Sequence, residues 1–153
     1  MRNRLALAAI ALWVLTLAAA AIVFIRGNTV PSPDGRTTVL VQPGEREFVL
    51  DEMRSLLVAV RDIEDGIIRD DKAKVAAAAR TVGMAAAHDA APALMAKLPL
   101  DFKGLALPLH RGFDELAAAA EHGEPAPALT ARLTGQLDRC VACHAAYRLG
   151  VSQ

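Results

Sequence analysis

The sequence predicts an all-α fold: an up-and-down four-helix bundle preceded by an N-terminal transmembrane helix. Aromatic residues make up only 4% of the 153 residues and alanine is abundant, which favours closely packed helices over strands. An uncharged apolar run covers residues 5–25, and four segments with helical periodicity follow it. The expected organisation is a membrane anchor or signal segment (1–26), an extended linker (27–44) and a helical domain (45–153).

The N-terminal segment has the properties of a membrane anchor. About 20 apolar residues can cross a bilayer as a helix, whereas the core of a signal peptide is usually about 7–15 residues long. Arg2 and Arg4 precede the apolar run, so we expect them to stay in the cytoplasm and the domain to lie across the membrane. Cleavage after the small residues at 18–21 is the alternative, and it exports the same domain.

The segment between residues 26 and 44 is too rich in helix breakers to form a helix. Six glycines and prolines interrupt it: Gly27, Pro31, Pro33, Gly35, Pro43 and Gly44. We expect an extended linker in which residues 37–41 form a short extended stretch that lies on the domain.

The first two predicted helices are separated by an acidic break. Periodicity over about 45–69 places seven apolar side chains on one stripe: Leu50, Met53, Leu56, Leu57, Val60, Ile63 and Ile67. Asp70 and Asp71 then provide a cap for a second helix over about 72–88. Four of its side chains are expected to face the core: Val75, Ala78, Ala79 and Val82.

Prolines mark the last two predicted helices. A connecting turn over 92–99 leads to a third helix over about 101–122, with Asp101 as its N-cap and Pro108 as the site of a kink. A fourth helix covers about 126–149, and the four predicted helices are joined by short connections. Short connections of this kind favour antiparallel neighbours.

The fourth helix contains the motif with the most specific chemistry, Cys140-Val141-Ala142-Cys143-His144. This C-x-x-C-H spacing is typical of c-type haem attachment. On a helix the two cysteines lie one turn apart, so both thiols can reach the vinyl groups along one edge of a haem. His144 lies on the same face as Cys140, where its ring can ligate the iron. Such attachment in bacteria is expected on the periplasmic side, in agreement with export of the domain.

Other roles of the two cysteines are less well supported. A zinc site would need a second cysteine pair or an H-x₃₋₅-H pair, and the sequence has neither. A thioredoxin-like dithiol needs a strand-to-helix context in a βαβ unit, which the helical pattern does not provide. A disulfide across one helical turn closes almost no loop and would stabilise little.

The match continues through Tyr147 and Arg148, giving C-x-x-C-H-x-x-Y-R. This string resembles the haem-binding helix of the cytochrome c′ family, the class II c-type cytochromes that include the cytochrome c556 type. The resemblance implies a four-helix bundle around covalent haem c, with Tyr147 packed beside the haem and Arg148 near the proximal histidine. It also allows a homodimer. The membrane segment and the linker are departures from the family pattern.

The residue on the other side of the haem is less well defined. In the resembled family the first helix covers the haem, and Met53 lies midway along its apolar stripe. A methionine thioether is a normal haem ligand, although core packing is its commoner role. In the alternative register Arg46 and Leu50 face an open, gas-binding iron. Met84 and His110 are weaker candidates for the site.

Together these features predict a membrane-anchored, periplasmic monohaem c-type cytochrome that transfers single electrons. Haem c would be bound by Cys140, Cys143, His144 and Met53, with Arg148 nearby and redox proteins at the cytoplasmic membrane as partners. Binding of NO or CO at an open iron is the alternative function. The 17 basic and 17 acidic residues form no broad basic run for nucleic acid, and no nucleophile–base pattern indicates an enzyme.

Overall fold

The computed structural model describes residues 2–152, which are mostly helical. Met1, Gln153 and the side chain of Arg2, on which the predicted orientation partly depends, lie outside the described residues. The elements follow one another as α1 (Arg2–Arg26), β1 (Thr29–Pro31), β2 (Thr37–Val41), α2 (Pro43–Ile68), α3 (Lys72–Arg80), α4 (Met84–Ala87), α5 (Pro92–Lys97), α6 (Leu100–Glu121), α7 (Ala126–Ala146) and β3 (Tyr147–Val151).

Helix α1 projects from the remainder of the protein. Its side chains from Asn3 to Arg26 are exposed, and the helix is long and apolar enough to cross a membrane, as a signal sequence also can be. Contacts with the domain come from α5 and α6. The predicted apolar N-terminal helix is therefore confirmed as a helix.

Helices α2, α3, α6 and α7 share the main hydrophobic core. Helix α3 packs against α2 and α6, and α7 packs against α6 and α2. The largest fully buried side chains of this cluster are Ile63, Val75, Val82, Phe113, Leu116 and Leu129. Removing these side chains from water supplies the main driving force for the packing. Of the predicted stripe on α2, Leu57 is 71% exposed.

A small sheet corrects the purely all-α prediction. Strand β2 pairs antiparallel with β1 and parallel with β3. It coincides with the stretch 37–41 that the sequence predicts to be extended, and its Val39 and Val41 are fully buried. These two side chains pack with residues of α2, α5 and α6 in a second apolar cluster. The segment 27–44 is thus part of the folded domain.

The helix that carries the cysteines is shorter than expected. It ends at Ala146 rather than near residue 149, because residues 147–151 form β3 along β2. Tyr147 contacts Phe102 edge-on, with ring centroids 5.3 Å apart. At Gly150 an added Cβ would lie 2.6 Å from Cγ2 of Thr38. The close approach of the strands and the ring contact both favour the strand over a further helical turn.

Helix boundaries agree with the sequence at some positions and differ at others. Asp71 is confirmed as a cap, since its side chain accepts a hydrogen bond of 2.9 Å from the Lys74 backbone N–H. Asp101 is not an N-cap: Pro99 takes that position and Asp101 lies in the first turn of α6. The predicted turn over 92–99 contains the short helix α5.

The second predicted helix is divided into α3 and α4. The break falls before Gly83, and the backbone N–H of Met84 donates a 2.8 Å hydrogen bond to Oδ2 of Asp114. A Cβ at Gly83 would collide with the Asp114 carboxylate. The Asp114 carboxylate on α6 therefore accepts from the first free N–H of α4. In a continuous helix running on from α3, this N–H would already be bonded within the helix.

Gly66 allows α2 and α3 to approach closely, which gives a test of this packing. A Cβ there would lie 2.8 Å from Cγ2 of the fully buried Val75. We expect Gly66→Ala to lower the free energy of unfolding by about 1–3 kcal/mol, the usual cost of overpacking. The measurement is thermal unfolding followed by circular dichroism. The matched control is Gly135→Ala in α7, where nothing lies within 4 Å and alanine should add about 0.5–1 kcal/mol. Equal stabilisation by both variants would contradict the close approach.

Candidate functional site

An apolar cavity of about 360 Å³ lies between α2, α5, α6 and α7. Its size is within the range of cofactor and ligand sites, about 300–1,000 Å³. Most of its wall is aliphatic or aromatic, with side chains that include Val49, Leu56, Leu94, Leu98, Phe102, Leu109 and Phe113. Such a lining excludes water and lowers the local dielectric constant.

The cavity brings together four of the five residues that the sequence predicts for the site. Cys140, Cys143 and His144 reach it from α7, and Met53 reaches it from α2. Both cysteines are free and half-buried, Met53 is partly buried and His144 is exposed at the edge. Two thiols, an imidazole and a thioether therefore share one apolar space.

Burial affects the chemistry of the two thiols. It raises the pKa of Cys140 and of Cys143, because a thiolate is poorly solvated in the partly apolar wall. For Cys143 the neighbouring Cys140 adds a smaller upward effect. Both side chains are thus thiols at neutral pH, and the thiolate is the more reactive form of a cysteine.

Arg148 lies outside the cavity wall, on β3. Its Nη1 donates to Oγ of Ser32 at 3.3 Å and lies 3.8 Å from Oδ2 of Asp34. In the same turn Arg36 donates from Nη1 to the backbone carbonyl of His144 at 3.4 Å. The turn between β1 and β2 therefore contacts the end of the cysteine motif, and the haem role of Arg148 stays a prediction.

Of the other residues considered for the distal side, one lines the cavity and three do not. Arg46, Leu50 and Met84 are not among the residues that line the cavity, whereas His110 is. Met95 of α5 also lines it, which the sequence did not indicate because residues 92–99 were predicted as a turn. Its partly buried thioether is the second methionine sulfur at the cavity.

A polar pair interrupts the apolar wall. His110 is 5% exposed, and its Nδ1 lies 2.9 Å from the Val82 carbonyl oxygen. Since a carbonyl only accepts, Nδ1 carries a proton, and Nε2 faces Oε1 of Glu52 at 3.3 Å. Burial raises the pKa of Glu52, and the charge of Asp89 acts in the same direction while His110 opposes it. Sequence periodicity gave no signal for this pairing between α2 and α6.

Two cationic side chains at the cavity have nitrogen atoms without an acceptor among residues 2–152. They are Nε of Arg139 and Nζ of Lys103. A buried donor of this kind costs free energy unless a partner is supplied. An anionic group at the cavity would provide a partner for Arg139, whereas Nζ of Lys103 lies against the Phe24 ring of α1.

Haem c fits this set of side chains by its chemistry. The free haem from which haem c forms offers two vinyl groups for thiols, an iron for nitrogen and sulfur ligands, an apolar ring and two carboxylates for cations. Among the described residues no group of three or more His, Cys, Asp or Glu side chains could hold a metal ion directly. A haem iron, however, takes only its axial ligands from the protein.

Comparison of the chain with protein-family models, with curated proteins and with solved structures gave no match.

Proposed function

We propose that the chain is a monohaem c-type cytochrome of the cytochrome c′ kind, which transfers single electrons and catalyses no reaction of its own. The main support is that the C-x-x-C-H motif and Met53, distant in sequence, line one apolar cavity. In this proposal α2, α3 with α4, α6 and α7 correspond to the four helices of an up-and-down bundle. Helix α1 holds the domain at the periplasmic face of the cytoplasmic membrane.

Each side chain at the cavity has a distinct part in this function. Cys140 and Cys143 would bind the haem covalently, and His144 and Met53 would offer a nitrogen and a sulfur to its iron. The bound haem supplies one-electron iron chemistry. The apolar wall excludes water, and a methionine ligand raises the reduction potential. Arg139 would offer its unsatisfied Nε to a haem carboxylate.

The surface near the motif supports transfer to a protein partner. Val141, between the two cysteines, is 69% exposed, and Leu57 and Leu137 at the cavity edge are also exposed. Apolar side chains around a cofactor edge suit brief docking of a redox partner at the membrane. A homodimer is compatible with the same domain.

Visible spectroscopy of the full chain, produced together with haem-maturation proteins, tests the proposed function. We expect covalently bound haem and a six-coordinate, low-spin spectrum that carbon monoxide does not change in the reduced protein. A high-spin reduced spectrum that shifts with carbon monoxide would contradict the axial methionine and indicate gas binding. The absence of covalent haem would contradict both functions.

A further inference from the structure

The end of α1 is fixed on the domain at the junction of α5 and α6. Gly27 follows α1 with a φ of +62°, and a Cβ there would lie 2.6 Å from the backbone nitrogen of Pro99. The next residue, Asn28, donates its N–H to the Lys97 carbonyl at 2.8 Å. The domain therefore keeps a defined position relative to α1, and the first turns of α6 lie beside the end of the apolar helix.

Lys103 occupies this position with an unsatisfied charge. It is 6% exposed, and its Nζ lies 3.8 Å from the centroid of the Phe24 ring in α1. The ring face attracts the cation, but it accepts none of its three N–H donors as an ordinary acceptor would. Nζ has no hydrogen-bond partner within residues 2–152. Loss of water around the ammonium also lowers the pKa of Lys103.

A shallow groove on α6 continues from Lys103. Besides Lys103 its wall includes Leu100, Asp101, Gly104, Leu107 and Arg111. The groove combines two cations and one carboxylate with exposed apolar surface. This combination suits a ligand that has both an anionic head and an apolar tail.

We propose that Lys103 and the α6 groove bind the phosphate group of an anionic phospholipid in the membrane that holds α1. Phe24 is half exposed and lies two residues before the end of the apolar helix, at the depth where lipid phosphates meet water. A phosphate oxygen accepts from Nζ once the Phe24 ring turns aside, and Arg111 adds attraction. The inference depends on the proposed anchoring by α1, but not on the bound haem.

The test uses the full chain in nanodiscs made of phosphatidylcholine with or without phosphatidylglycerol. Lipids retained on the protein are counted by native mass spectrometry for the natural chain, Lys103→Met and Lys103→Arg. We expect preferential retention of phosphatidylglycerol, which Lys103→Met lowers about fivefold, the usual effect of one cation near an anionic surface. Lys103→Arg keeps the charge and should keep the preference. The matched control is Lys72→Met, on α3, where the ammonium pairs with Asp70 instead.

Three results would overturn the proposal. The first is equal retention of both lipids by the natural chain, or an equal preference in Lys103→Met. The second is full competition by inorganic phosphate, which would indicate a site for a free anion. The third is a changed haem spectrum in Lys103→Met with unchanged lipid retention, which would make Lys103 a partner of the haem. Haem content and resistance of the protein to alkaline extraction are measured on the same samples. A loss of haem shows that haem binding has failed, and a loss of resistance shows that anchoring has failed, so neither is confused with a change in lipid retention.

Discussion

Replacing Cys140 and Cys143 together by serine is expected to leave no haem covalently attached to the protein. The thioether bonds of haem c require cysteine sulfur, and the described structure has no other cysteine at the cavity. The measurement is haem staining after denaturing electrophoresis, together with the mass of the intact polypeptide. Each single variant keeps one thiol and should stain weakly.

The same double variant is expected to unfold at a lower temperature than the haem-loaded protein. A cofactor that binds only the folded state stabilises it, and the cavity of about 360 Å³ would lose that contribution. The matched control is Val141→Ala, since this exposed residue lies between the cysteines but supplies neither sulfur nor nitrogen. Covalent haem in the double variant, or loss of haem in Val141→Ala, would contradict the assignment.

Met53→Leu is expected to open the iron to carbon monoxide and to lower the reduction potential. Leucine has about the volume of methionine, so the core should lose less than about 1.5 kcal/mol. The change therefore removes the sulfur and little else. Axial ligands shift haem potentials within a range of about 0.8 V, and we expect a fall on the order of 0.1 V. Spectra of the reduced protein with carbon monoxide and a redox titration measure both effects.

Two other methionines provide controls for Met53. Met84 does not line the cavity, so Met84→Leu should leave the spectrum and the potential unchanged. Met95 does line it and is the competing sulfur. If Met95→Leu opens the iron and Met53→Leu does not, then α5 rather than α2 supplies the ligand.

Local sequence signals predicted the elements that depend on local chemistry. The apolar run predicted α1, and Asp71 predicted the start of α3. The third predicted helix ended near residue 122, and α6 ends at Glu121, followed by Gly123 with a φ of +79°. The short stretch 37–41 was also recognised as extended. Strand β3 was not, because its stability comes from pairing with residues far away in the chain. Helical periodicity alone therefore extended α7 too far.

In the candidate site, too, the residues with a local sequence signal were predicted, and those that only the packing of the helices brings together were not. The cysteine motif has a fixed spacing, and Met53 is the methionine of the first apolar stripe, so both were found from the sequence. Glu52, His110 and Met95 come from three different helices, and their meeting depends on helix rotation and on the fold of residues 92–99. The local sequence pattern determines neither the rotation of the helices nor the fold of residues 92–99.

The parallel pairing of β2 with β3 also affects the order in which the domain can be completed. Strand β2 precedes the helical core, while β3 begins at Tyr147, three residues after His144. This sheet can close only when the residues beyond His144 have been made. Contacts between such distant segments form slowly. Before closure the motif is held at one end only, and under the proposed function this is the stage at which haem would be attached to both thiols.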